Sequence, residues 1–171
     1  REPCKAVTTH PELVRAVIRI FKSEGASVSV ADSPASAVKI ESVFEKSGFN
    51  QLCREEQVPM LSVEKSGSVT FNEHGFSFSV ARPFLDADLL VNMPKVKTHT
   101  MTMLTAGVKN LYGTIPGYQK MNLHKLHPKP ADFGRLLALL YERIAPKLTI
   151  ADAVVAMQGE GPTAGTPAQL G

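Results

Sequence analysis

Tryptophan is absent from this 171-residue sequence, and cysteine occurs only at Cys4 and Cys53. Two thiols so far apart, with no C-x-x-C spacing, make neither a disulfide framework nor an iron–sulfur or zinc ligand set within the chain, so two reduced thiols in a cytoplasmic protein are expected. No apolar run approaches the length of a bilayer span, and the start carries no basic, apolar, small-residue signal, so no membrane partner is expected. The net charge is only +3, and no groove-reading helix or aromatic RNA platform is recognisable, which argues against nucleic acid. The stretch GEGPTAG lacks the lysine and the strand-to-helix setting of a P-loop.

Acidic residues are missing where it matters most. Between Leu89 and Ala131 there is no Asp or Glu, while Lys95, Lys97, Lys109, Lys120, Lys125 and Lys129 supply six positive charges, and His99, His124 and His127 lie in the same window. With no acid of that stretch to pair them, these cations point to a negatively charged partner.

What is present is an ordinary globular composition, 43% hydrophobic and 20% charged, over a length that suits one core. We therefore expect a single α/β domain over residues 1–171. The start at Arg1 rather than Met, and the loop-like end GPTAGTPAQLG with no closing element, further suggest an internal fragment of a larger domain or protein.

The pattern alternates helices and strands. Thr9 and Glu12 form a capping box ahead of a helical face of Leu13, Val14, Val17, Ile18 and Phe21, and Gly25 stops it. SVSVAD reads as a strand ending at Asp32, and Ser33-Pro34 reads as the start of a helix that runs to about Gly48. PMLSVEK is a short strand, and GSVTFNEHGFSFSVA is a hairpin. DLLVN is apolar enough for a strand buried on both faces, ending at Asn92. The spacing of Met101, Leu104, Val108 and Leu111 predicts a helix from about Thr100 to Tyr112, followed by a Pro- and Lys-rich loop over 114–130. ADFGRLLALLYERIA predicts a helix capped by Asp132, and KLTIAD a strand ending at Asp152. The expected architecture is a mostly parallel sheet flanked by helices, with an antiparallel hairpin excursion.

Three predicted strands thus end at Asp32, Asn92 and Asp152, and ligands of open α/β sheets bind outside the carboxyl ends of strands. A helix starting near Thr98 or Thr100 would place its N-H groups beside Lys95, Lys97 and His99, an arrangement suited to an anion. Lys95, Lys109, Asn92, Asn110 and Ser33 are the candidate anion-binding residues. His99 and Lys97 are the candidate catalytic pair, since imidazole titrates near working pH. Asp32, Asp152 and Glu160 would orient the ligand or hold a metal. The glycines of GEGPTAG would let backbone approach a ligand. Lys120, Lys125, Lys129, His124 and His127 are expected to decorate the 114–130 loop.

The words TTHPELVRAVIRIFKSEGASVSVADSP, DADLLVNMPKVKTHTMTMLTAGVKNLYGTIPG and IADAVVAMQGEGPTAGTP resemble the prokaryotic domain-of-unknown-function 362 family across nearly the whole chain. Members of that family are often labelled iron–sulfur cluster-binding proteins. The resemblance implies that the chain is an internal portion of its domain, with a further strand before it and more domain after it. It also implies that a ferredoxin-like cysteine cluster, where members carry one, lies outside these residues, so that any 4Fe-4S cluster belongs elsewhere in the parent protein and the cofactor of this chain is unknown. The family's motif positions fall on Asp32, Ser33, Asn92, Lys95, Lys97, His99, Lys109, Asn110, Gly113, Asp152 and Gly161. Two functions follow as expectations. One is a domain that binds a small carboxylate- or phosphate-bearing ligand, with or without acid/base chemistry. The other is a redox accessory module that docks a ferredoxin-like domain or carrier.

Overall fold

The computed structural model describes residues 2–34 and 40–171. In chain order the elements are a 3-10 turn (Pro3–Lys5), α1 (Pro11–Ser23), β1 (Val30–Asp32), α2 (Ile40–Lys46), α3 (Phe49–Glu55), β2 (Met60–Ser62), β3 (Ser68–Glu73), β4 (Phe76–Ala81), α4 (Arg82–Leu85) and β5 (Val91–Asn92). There follow β6 (Lys95–His99), β7 (Met103–Thr105), α5 (Gly107–Asn110), a second 3-10 turn (Leu111–Thr114), α6 (Gly117–Leu126), α7 (Pro130–Ile144), β8 (Leu148–Thr149), β9 (Asp152–Gln158) and β10 (Thr166–Gln169). The first turn of the helix expected after Ser33-Pro34 lies at 35–39, outside the described residues.

The α/β class holds, with open sheets of mixed direction. Strands β1 and β2 pair in parallel, as do β5 and β8, and β6 and β9. Strand β7 pairs antiparallel with β6, and β10 with β9, giving the order β10-β9-β6-β7. The antiparallel excursion is the β3–β4 hairpin, in which Val69 faces Val80 and Phe71 faces Phe78. Helix α7 buries Phe133, Leu136 and Leu140 against Phe78, Val80, Leu111, Tyr112 and Leu123. A second core joins Val14 and Ile18 of α1 to Leu52, Cys53 and Val58.

Several expectations are corrected. Helix α1 buries Val14, Val17 and Ile18 as its pattern requires, but its N-cap is His10, whose Nδ1 accepts from the Glu12 N-H at 3.3 Å. The Thr9 hydroxyl is engaged elsewhere, donating to the Met93 carbonyl at 2.6 Å. The helix predicted over 100–112 is replaced by the β6–β7 hairpin, followed by α5 and a 3-10 turn. Its local cause is His99, whose Nδ1 accepts from the N-H groups of Met101 at 3.1 Å and Thr102 at 3.4 Å and closes the turn. Threonines at 98, 100, 102 and 105 favour extended backbone. The apparent apolar stripe is not a buried face, since Leu104 and Val108 are 52% and 44% exposed.

Residues 114–130 hold a helix, α6, rather than a loop. Its pattern hid it, because Met121 and Leu126 are exposed while Lys120 is buried; Pro116 and Pro128 bracket it. The chain end is not loop-like either, since Thr166–Gln169 pairs with Val155–Gln158. Asp152 opens β9 instead of ending a strand, because β8 stops at Thr149. The segment DLLVN contributes only Val91 and Asn92 to a strand, and Leu89 is 44% exposed, so burial on both faces is not met.

Candidate anion-binding site

A cavity of about 1070 Å³ opens beside the carboxyl ends of β1 and β5. Asp32, Lys97, Lys109, Lys120, His99 and His124 line it. The short β-branched β1 places Asp32 at its end, where one carboxylate oxygen accepts from the Ser33 N-H at 2.8 Å. Gly113 lies against this carboxylate, and a methyl group there would come within 2.6 Å of its Oδ1. The Asp32 side chain is exposed to the cavity yet surrounded by protein on its other sides. Burial therefore pushes its pKa up, while Lys120, the Ser33 N-H and Lys97 pull it down.

The three lysines are seated by different elements. Lys97 projects from β6, and its Nζ donates to the Val7 carbonyl at 2.6 Å. Lys109 projects from α5, with its Nζ 4.5 Å from the Tyr112 ring centroid and 5.6 Å from that of Phe133. Lys120 projects from α6, and its Nζ donates to the Ser33 carbonyl. Burial lowers each ammonium to a pKa of about 8. Asp32 opposes that shift at Lys97 and Lys120, whereas Lys120 and Lys97 reinforce it at Lys109. Among the described residues none of the three forms a salt bridge. Glu64 stands nearby, held by the Ser33 hydroxyl at 2.7 Å and the Gly117 N-H at 3.3 Å.

Lys95 is a correction. It is not waiting for a partner, since its Nζ lies 2.5 Å from Asp152 Oδ2 in a pair that is 4% and 3% exposed, and it also donates to the Val155 carbonyl at 3.0 Å. Asp152 accepts in addition from the His10 N-H at 2.7 Å, so this pair ties β6 and β9 to the start of α1. Asn92 and Asn110 are likewise bonded to each other at 2.9 Å, and Asn92 also donates to the Gly107 carbonyl at 2.9 Å. Their amides fix α5, which carries Lys109.

Glu160 is exposed and does not line the cavity. Among the described residues no group of three or more His, Cys, Asp or Glu side chains is placed to hold a metal, and Asp32, Asp152 and Glu160 do not share a location. Gly161 packs against the Thr98 backbone and Gly165 against Gln158, so those glycines admit protein backbone rather than a ligand.

His99 differs from its expected role. With Nδ1 accepting two N-H groups, the neutral ring carries its proton on Nε2. Burial first, then Lys109, His124 and Lys97, lower its pKa to about 4, so it is neutral at working pH. Sequence reasoning missed Lys120 and His124 as site residues. Both were visible in the acid-free window, but only α6 carries them inward, His124 stacking 4.6 Å from Phe133.

The lysine shifts give a pH dependence. A lysine whose folded pKa is about 8 binds fewer protons than its unfolded form between there and about 10.4, so the ligand-free protein should become more stable as pH rises through that window. The buried Cys53 thiol and Tyr112 phenol, both raised by burial, oppose this from about pH 9 and 10. Chemical denaturation at pH 7.5, 8.5 and 9.5 checks the rise, and a flat or falling series would contradict it.

The model of a domain of unknown function, DUF362, matches residues 1–171. The chain belongs to the DUF362 family. It is 32% identical over 170 residues to a thylakoid-associated protein of Synechocystis sp., an alignment covering 99% of this chain and 53% of that relative. This DUF362 chain thus spans about half the length of the curated relative it matches. No solved structure matches it. No helix among the described residues is long and apolar enough to cross a membrane.

Proposed function

We propose that this DUF362 domain binds a small carboxylate- or phosphate-bearing anion among Lys97, Lys109 and Lys120, with Asp32 orienting it. The observation that carries this reading is the convergence of three ammonium groups, none in a salt bridge among the described residues, on one cavity. Burial disfavours the charge on each lysine, Lys120 and Lys97 further disfavour it on Lys109, and an anion relieves both penalties. Lys97, not His99, is the proton carrier in this reading. An ammonium near pKa 8 exchanges protons close to working pH, while neutral His99 offers a donor from Nε2.

A single domain that forms part of a longer, cytoplasmic protein belongs to the same proposal. Docking of an acidic redox carrier is the less supported alternative. It calls for an outward basic face, whereas Lys95 and Lys120 are buried and only Lys125 and Lys129 of the acid-free window are exposed.

Calorimetry of the full-length protein with inorganic phosphate and with dicarboxylates tests the reading. Binding near pH 8 should take up protons, because the bound charge raises lysines that are about half deprotonated there. The measured heat should then change with the ionisation enthalpy of the buffer. No binding by either class of anion, or binding without proton uptake, would defeat the proposal.

A further inference from the structure

Asp32 shares the cavity with three ammonium groups and neutralises none of them directly. Its side chain is exposed at the end of β1, and among the described residues it forms no salt bridge with Lys97, Lys109 or Lys120. Its Oδ1 accepts from the Ser33 N-H at 2.8 Å and lies against Gly113, where the absence of a side chain gives it room. No other hydrogen bond to this carboxylate is made among the described residues. Burial raises its pKa, and Lys120, the Ser33 N-H and Lys97 pull it back toward the ionised form. The lysines have donors to spare. Lys97 and Lys120 each donate one N-H to a backbone carbonyl, and an ammonium carries three. Lys109 lies against the rings of Tyr112 and Phe133. Several donors and one charged acceptor thus border a single space.

A bare anion suits only part of that space. It accepts from the ammoniums, but Asp32 repels it and gains no donor from it. A carboxylate in the wall of an anion site lowers affinity unless it binds part of the ligand itself. Resting on the anion reading, we infer that the ligand carries a hydroxyl group next to its carboxylate or phosphate. The anionic head accepts from the lysine ammoniums, and the hydroxyl donates to the Asp32 carboxylate. A hydroxyl fits better than an amine, because an ammonium would bring a fourth positive charge into a cluster whose like charges already disfavour one another. His99, neutral and lining the same cavity, leaves that balance unchanged. Hydroxy acids and polyol phosphates are therefore the ligand class. Asp32 is then the residue that sets specificity, holding back plain anions by its charge and retaining those that offer it a donor.

Calorimetry of the full-length protein at pH 7 compares ligands that differ in hydroxyl groups alone: lactate with propionate, and glycerol phosphate with propyl phosphate. At this pH the three lysines, with pKa values of about 8, keep most of their protons. The hydroxylated member of each pair should bind about tenfold tighter or more, as a hydrogen bond to a charged group allows. In Asp32→Ala that gap should close to within about twofold, while propionate and propyl phosphate bind about twofold tighter or more than to the parent, the repelling charge being gone. Asp32→Asn keeps the shape and can still accept from the Ser33 N-H, so it should show the same gain for the plain anions even if the alanine variant folds poorly. Equal affinities within each pair in the parent protein would overturn this inference and leave the anion reading standing, whereas no binding of any of the four would sink both. Tighter binding of alanine than of lactate would also overturn it, making Asp32 the ion-pair partner of an amine. So would weaker binding of propionate to both variants, which would make Asp32 a protonated carboxyl that donates to the anion.

Discussion

Asp152→Ala should destabilise the fold by about 3 to 5 kcal/mol, the usual cost of stranding one charge of a buried pair. The variant leaves the Lys95 ammonium, 4% exposed, with only the Val155 carbonyl, and it strips the His10 N-H of its acceptor. Urea unfolding at neutral pH measures the loss. The double variant Lys95→Met/Asp152→Leu should recover most of it, because two apolar side chains of similar volume leave no charge unsatisfied. A single variant within about 1 kcal/mol of the parent would show that water reaches this pair and that it does not stitch β6, β9 and α1 together.

Lys97→Ala should weaken anion binding about 30-fold or more, since removing one partner of a desolvated charge contact costs at least about 2 kcal/mol. The same change at the exposed Lys125 should leave affinity within about fivefold, a screened surface charge being worth under about 1 kcal/mol. Removing Lys97 also takes away one of the neighbours that hold the pKa of His99 and Lys109 down. Titration of the His99 ring by NMR should therefore move upward in the variant. Equal, small losses for Lys97→Ala and Lys125→Ala would mean that the cavity lysines attract anions only through the general field of the molecule.

The α/β class, the β3–β4 hairpin, α1 and α7 were legible in the sequence because local pattern and tertiary burial agree there. Val14, Val17 and Ile18 are an apolar stripe and are buried, and Phe71 and Phe78 alternate and face each other. Around the site the two disagree. Met101, Leu104, Val108 and Leu111 have helical spacing, yet a histidine side chain accepting two backbone N-H groups diverts the chain into a hairpin. Helix α6 was unreadable because its inward face carries Lys120 beside Leu123, so a polarity pattern sees no stripe. The shortage of acids marked the window that holds Lys97, Lys109 and Lys120, but it did not separate Lys120 from the loop lysines, and counting charges along the window could not find the partner of Lys95, which lies 57 positions away at Asp152.

The seat of Lys109 carries a last consequence. Its ammonium rests on the ring of Phe133, and that ring is also the fully enclosed anchor of α7. If the cavity binds an anion as proposed, recognition and packing would depend on the same aromatic side chain. On the anion reading, a change at Phe133 in the interior of α7 would retune the affinity of the cavity.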